Sequence, residues 1–347
     1  MKRVLLTVLA AVLFLFPLAA CRSAREGEKV ETIKIGVTIY RKEDTFVASL
    51  CRELEKIAKQ MEAKSGKKII INVADGQSSQ ALQNDQVDSF IARHYDVICV
   101  NEVDRTSAAV IVNKAKAANI PVIFFNREPV EEDIRLWSRS YYVGADAAQS
   151  GRLQGEIVAK AFAKKTESID RNKDGKIQYV MLEGEQEHQD ALLRTEYSIK
   201  AVTGAGIKVE KLADDIANWQ RAQGTAKMNQ WLAKYGDRIE AVFCNNDDMA
   251  LGAIDAIKES MTQAKPAVVG IDATEGGIHA VMDGSMLGTV YNDARGQAKA
   301  VFDLCYTLAS GGNPAETMKL KEEHYIWVPY CMVTKDNAQD ILENIRN

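Results

Sequence analysis

Short runs rich in β-branched residues alternate with amphipathic helical stretches along almost the whole sequence, and each run stops at a polar residue. Strands are expected over Ile33–Tyr40, Lys68–Val73, Asp96–Val100 and Pro121–Phe125. Helical patterns fill Phe46–Gly66, Ser78–His94 and Ser107–Asn119. The pattern then restarts with a helix at Asp146–Phe162, a strand at Ile177–Leu182, a helix at Asp190–Gly204 and a strand at Lys208–Leu212. It continues through a helix at Trp219–Tyr235, a strand at Ala241–Cys244, a helix at Asp248–Met261 and strands at Ala267–Ile271 and Gly288–Tyr291. A helix at Ala294–Ala309 and a final strand at Trp327–Val333 close the chain. Alternating β and α elements with short connections fold as parallel, doubly wound α/β sheets. Two rounds predict two α/β lobes with one cleft between them. Chain crossings near Tyr142–Ala145, Tyr291–Ala294 and Val328–Pro329 would form a three-strand hinge.

In open parallel sheets, ligands gather beyond the carboxyl ends of the strands. Those ends here carry Tyr40 with Asp44 and Phe46, Asn126, His188 with Asp190 and Arg194, Asn246, Asp272 and Asn292. The set mixes carboxylates, amides, a guanidinium and an imidazole. A sugar hydroxyl both donates and accepts, so a dry sugar site needs acceptors and donors together. Phe46 and Trp219 follow loops and could cover the C–H faces of a pyranose. Taken singly, each Asp or Asn could equally be a helix cap; only the set as a whole points to a sugar.

The run Asp170-Arg-Asn172-Lys-Asp174-Gly175-Lys176-Ile-Gln178 reads as a calcium loop. Side-chain oxygens fall at positions 1, 3, 5 and 9 of such a loop, a glycine at position 6 makes the sharp turn, and position 7 offers its carbonyl. Position 12, where a bidentate Glu is usual, is Met181, and a strand follows instead of a helix. The alternative is an ordinary Asp/Asn turn exposed to water.

Lys2-Arg3, an apolar run from Val4 to Ala20, and Leu18-Ala-Ala-Cys21 have the form of a secretory leader. The placement of Cys21 resembles a bacterial lipobox, which implies cleavage before Cys21 and its acylation. A plain signal peptide with an incidental cysteine is the alternative. Residues 21–30 are charged and unpatterned, a tether. The remaining 42 basic and 48 acidic residues (44 basic less Lys2 and Arg3) leave a net charge of −6. That balance lacks the basic face nucleic acid requires. Cys51, Cys99, Cys244, Cys305 and Cys331 show no metal-ligand spacing. They read as buried free thiols, with a single disulfide possible but unpairable from sequence.

From about Ile33 to Asn337 the chain resembles the periplasmic galactose/glucose-binding proteins that serve ATP-driven sugar importers. The resemblance is carried by Ile35-Gly-Val-Thr-Ile-Tyr40, Gln83-Asn-Asp-Gln86, Pro121-Val-Ile-Phe-Phe-Asn126, Tyr141-Tyr-Val-Gly144, the Asp170 loop with His188 and Asp190, Asn245-Asn-Asp247 and Asn292-Asp-Ala294. It implies the type I periplasmic binding protein fold, with residues 1–20 as leader. One lobe would be 31–143 plus 295–327, the other 144–294 plus 328–347. It implies a monomer binding D-glucose or D-galactose and passing it to an ABC-importer permease, lipid-anchored outside the cytoplasm. Tyr40, Asp44, Phe46, Asn126, His188, Asp190, Arg194, Trp219, Asn246, Asp272 and Asn292 would form the sugar site. A structural Ca2+ would be held by Asp170, Asn172, Asp174, the Lys176 carbonyl, Gln178 and Glu240, the last replacing the carboxylate absent at Met181. Lys176 and Gln189 depart from the pattern; Gln189 stands where a proline is expected, which could loosen that loop. Ala109 lies in the region where the family meets its chemoreceptor, so chemotaxis does not carry over.

Three rivals remain. An enzyme using His188 with Asp190 or Asp44 as an acid–base pair lacks any nucleophile motif. A sugar-responsive repressor would need an N-terminal helix-turn-helix where the leader stands. A sensor presenting bound hexose to a membrane receptor is compatible with import.

Overall fold

The computed structural model describes residues 31–260 and 265–346. Cys21, the leader and the tether lie outside them. Five strands, β1 (Thr32–Ile39), β2 (Lys68–Asp75), β3 (Val97–Val100), β4 (Val122–Phe125) and β5 (Ser140–Gly144), form the first sheet. A strand from much later in the chain, Tyr325–Trp327, completes it on the β5 edge. The order is Tyr325–Trp327, β5, β4, β3, β1, β2, every pairing parallel. The strand order reverses at β1, which opens a crevice beyond its carboxyl end. β3 and β4 are buried along their whole length, as expected of strands covered by helices on both faces.

The second sheet contains β6 (Lys176–Glu183), β7 (Lys208–Ile216), β8 (Ala241–Cys244) and β9 (Ala267–Val269), ordered β7-β6-β8-β9 and parallel throughout. Its reversal falls at β6, so its crevice opens at Glu183. Isolated bridges Val269↔Gly288 and Asp272↔Tyr291 lead on to β10 (Thr289–Tyr291). With Tyr325–Trp327 as β11, the last strand, β12 (Cys331–Val333), pairs antiparallel with β10.

The chain crosses between lobes after β5, after β10 and between β11 and β12. The helix Ala294–Ala309 follows the second crossing and returns to the first lobe, where Val301, Phe302, Leu304 and Cys305 pack with Ile35, Leu50 and Cys99. The single strand expected at Trp327–Val333 is two strands in different sheets, split at Val328–Tyr330. Pro329 has no N–H to give a ladder, so the run could not continue as one strand. The strand expected at Lys208–Leu212 extends to Ile216. The helices Glu275–Asp283 and Ala338–Arg346 were not foreseen.

Candidate functional site

Each strand end places its polar residue by local backbone chemistry. Asp44 caps the helix Thr45–Ser65, its Oδ1 accepting from the Val47 N–H at 2.8 Å. Its Oδ2 takes the Tyr40 hydroxyl at 2.6 Å. Phe46 lies in that helix's first turn. Asn126 sits in the left-handed region (φ 62°), a conformation Asn tolerates. Its side-chain oxygen accepts from Asn101 Nδ2 at 3.0 Å.

Across the cleft, His188 caps the helix Gln189–Gly204, its Nδ1 accepting from the Asp190 N–H at 3.1 Å. Asn246 caps the helix Asp247–Glu259 through its Oδ1 and donates its Nδ2 to the Trp219 carbonyl at 3.2 Å. The caps fix each side chain's position, and Asp44 and Asn246 are held at their second polar atom as well.

Tyr40, Asp44, Phe46, Asn126, His188, Asp190, Arg194, Trp219, Asn246 and Asp272 line one cavity between the lobes. Asn292 stands behind it, donating to Asp272 Oδ1 at 3.2 Å and receiving Gln297 Nε2 at 2.7 Å. Arg194 is the fixed cation of the second lobe and is 4% exposed. It donates to Asp190 Oδ2 (3.0 Å), the Asn245 carbonyl (2.9 Å) and the Tyr330 hydroxyl (3.0 Å). Its Nε is buried with no protein partner, as is Trp219 Nε1. Trp219 does not begin a helix as expected: it precedes Arg221–Tyr235 and holds φ 63°. Its ring centroid lies 5.0 Å from that of His188 in a T-shaped arrangement, and the ring lies over Gly184, where no side chain would fit.

Sequence reasoning missed Arg127, which also lines this cavity. Its guanidinium lies 3.5 Å from the Tyr40 ring centroid, pairs with Glu185 of the other lobe at 2.8 Å, and donates to the Val103 carbonyl at 3.2 Å. The signal was a cation directly after a strand-end Asn. Three more bonds join the lobes: Gln189 Nε2 to Glu128 Oε2 at 3.1 Å, Thr45 Oγ1 to Asp248 Oδ2 at 2.6 Å and Arg41 Nη2 to the Asn218 carbonyl at 3.4 Å. Gln189, expected to loosen its loop, is the first residue of a helix and a bridge across the cleft.

Burial, reinforced by Arg127, Arg194 and Arg105, pushes His188 well below its ordinary pKa and keeps the imidazole neutral. With Nδ1 accepting, Nε2 carries the hydrogen and can donate. Burial raises Asp190 and Asp272, with Arg194 opposing in both cases. Hydroxyl donors from a ligand would relieve that cost. The site offers acceptors, donors and flat apolar faces together.

The Asp170 loop lies in the second lobe, leading into β6. Asp170 Oδ1 and Oδ2 accept from the N–H groups of Asp174 (3.1 Å) and Gly175 (3.0 Å), with Gly175 at φ 79°. Glu240, 1% exposed and just ahead of β8, accepts from the N–H groups of Arg171, Asn172 and Gln178 at 2.7, 3.2 and 3.1 Å. Asn172 and Gln178 meet at 3.0 Å and Gln178 reaches Asp174 at 2.7 Å. Among the described residues no group of three or more His, Cys, Asp or Glu forms a metal site. The donors here are carboxylates mixed with amide and carbonyl oxygens, a set suited to a hard cation.

Residues 35–313 match the periplasmic binding protein domain. The chain belongs to that family. It is 38% identical over 338 residues to the D-galactose/methyl-galactoside binding periplasmic protein of Haemophilus influenzae, covering 97% of this chain and 98% of that one. The ribose import binding protein of Bacillus subtilis is 26% identical, over 84% and 88% of the two chains. An ABC transporter solute binding protein from Bacillus halodurans, solved with bound myo-inositol, superposes with a TM-score of 0.75 at 29% identity, covering 91% and 99%. The fold is therefore the type I periplasmic binding protein fold, and the protein works outside the cytoplasm. Among the described residues no helix is long and apolar enough to cross a membrane.

Proposed function

We propose that this protein binds a neutral hexose of the glucose or galactose type between its lobes and delivers it to the permease of an ABC importer. The observation that carries the reading is the cavity itself. Asp44 and Asn126 of the first lobe and His188, Asp190, Arg194, Asn246 and Asp272 of the second line one space bounded by Phe46 and Trp219. Ring faces cover apolar C–H surface, while the polar groups answer hydroxyls that donate and accept. The H. influenzae relative's name points to galactose and its methyl glycoside. Acylation of Cys21 would tether the protein at the membrane.

Sugar touching both lobes favours the closed arrangement by its differential affinity for the two states. The contacts Arg127–Glu185, Gln189–Glu128 and Thr45–Asp248 would form on closing. Calorimetric titration with glucose, galactose, ribose and myo-inositol tests the ligand. Heat only with the pentose or the cyclitol would overturn the assignment. Small-angle scattering should show compaction with the bound sugar; superimposable profiles would exclude closure.

The second lobe would hold a structural Ca2+ through Asp170, Asn172, Asp174, Gln178, Glu240 and the Lys176 carbonyl. The cation would neutralise carboxylates drawn into one loop and fix the start of β6. Chelation should lower the melting temperature, and added calcium should restore it. A melting temperature indifferent to both would remove the metal.

A further inference from the structure

Cys99 on β3 and Cys305 in the helix Ala294–Ala309 bring their Sγ atoms to 3.3 Å across 206 residues of chain. Both side chains are fully buried in the first lobe's core, among Ile35, Leu50, Leu54 and Phe302. That separation is short for two sulfurs in simple contact, and closing it to a bond of ~2.05 Å requires a shift of little more than 1 Å. Cys51 belongs to the same core, whereas Cys244 lies in the other lobe and Cys331 is exposed. The protein works outside the cytoplasm, where thiols can be oxidised.

We propose that Cys99 and Cys305 are an oxidation site, closed to a disulfide that staples the helix Ala294–Ala309 to the first sheet. The helix begins two residues past Asn292, at the second interlobe crossing, so the bond would fix the element on which that crossing lands. The oxidant is a disulfide of the compartment, carried by a protein or a small thiol. A thiolate from one cysteine attacks it, forming a mixed disulfide and expelling the oxidant's first thiol. The second cysteine's thiolate then attacks the mixed disulfide, forming the Cys99–Cys305 bond and expelling the second thiol. Two electrons and two protons pass from the cysteines to the oxidant. With both sulfurs sealed in the core, the exchange belongs to folding, before the helix docks. Closing so long a loop restricts the unfolded chain strongly in the entropic account.

The test folds the whole chain from denaturant with oxidised plus reduced glutathione, or with reduced glutathione alone. Free thiols are alkylated under denaturing conditions, and the protein is digested without reduction. The expected result is one linked peptide pair containing Cys99 and Cys305, a higher melting temperature for the oxidised sample, and unchanged hexose affinity. In Cys305→Ser both the link and the temperature difference should vanish. Alkylation of both residues after oxidative folding, a link through Cys51 instead, or equal melting temperatures in native samples would each overturn the proposal. The native sequence alone decides this, even if the variant folds poorly.

Discussion

Replacing Gly184 with Ala changes no polar group in the cavity, yet it should weaken sugar binding. A Cβ at this position would land inside the Trp219 indole, far closer than non-bonded carbons approach. Neither partner can move freely. The Gly184 N–H is held by Asn245 Oδ1 at 3.0 Å. Asn218 and Trp219 occupy the left-handed region (φ 49° and 63°), and Asn246 grips the Trp219 carbonyl. The indole must therefore swing away from the cavity, and a sugar must force it back against the new methyl. Overpacking costs about 1–3 kcal/mol, so the dissociation constant should rise roughly 5-fold to 150-fold. Calorimetry gives the affinity, and tryptophan emission reports the displaced ring. Trp219→Ala supplies the control, because Gly184→Ala added to it meets no ring and should cost nothing further. Equal weakening by Gly184→Ala in both backgrounds would refute the steric argument.

Arg194→Ala should weaken binding at least tenfold, since a hydrogen bond to a charged group contributes about 1.5–3 kcal/mol. It should also lower the melting temperature, because Asp190 is left as a buried anion without its partner; calorimetry and a thermal melt measure the two, and unchanged affinity would remove Arg194 from the site. Glu128 is pushed up to about 7 by burial, with Asp190 adding to the effect. Its raised value means that the closed form prefers the protonated acid. That contribution is fully present below the ordinary carboxylate pKa and is lost as pH rises through about 7. Affinity at constant ionic strength should thus decline from pH 5 to pH 8, with a shallower decline in Glu128→Gln; identical slopes would count against Glu128.

The strand-end residues were legible because parallel sheets send their carboxyl ends to one crevice, so position in the pattern stood for position in space. Tyr40, Asn126, His188 and Asp272 could be placed without any knowledge of side-chain contacts. Arg127 could not. A cation after a strand may point to solvent or lie on a neighbouring ring, and the choice depends on Tyr40, some ninety residues away. The left-handed turn at Asn218–Trp219 escaped notice because neither residue is glycine, and the apolar look of Trp327–Val333 concealed a change of sheet. Cys99 and Cys305 sit in equally ordinary surroundings, and only packing of the returning helix pairs them.

The three residues between β11 and β12 have a mechanical consequence. The Val328 N–H bonds to the Gly144 carbonyl (2.8 Å), where β5 leaves the first lobe, lashing two of the three connectors together. Tyr330 is clamped to the second lobe through Arg194 and through Gln149, which accepts its N–H at 3.2 Å. Pro329 between them has little freedom about its own N–Cα bond. Rotation of one lobe against the other must concentrate in a few torsions beside that ring, and one end of the pivot is fastened to the guanidinium that lines the binding cavity.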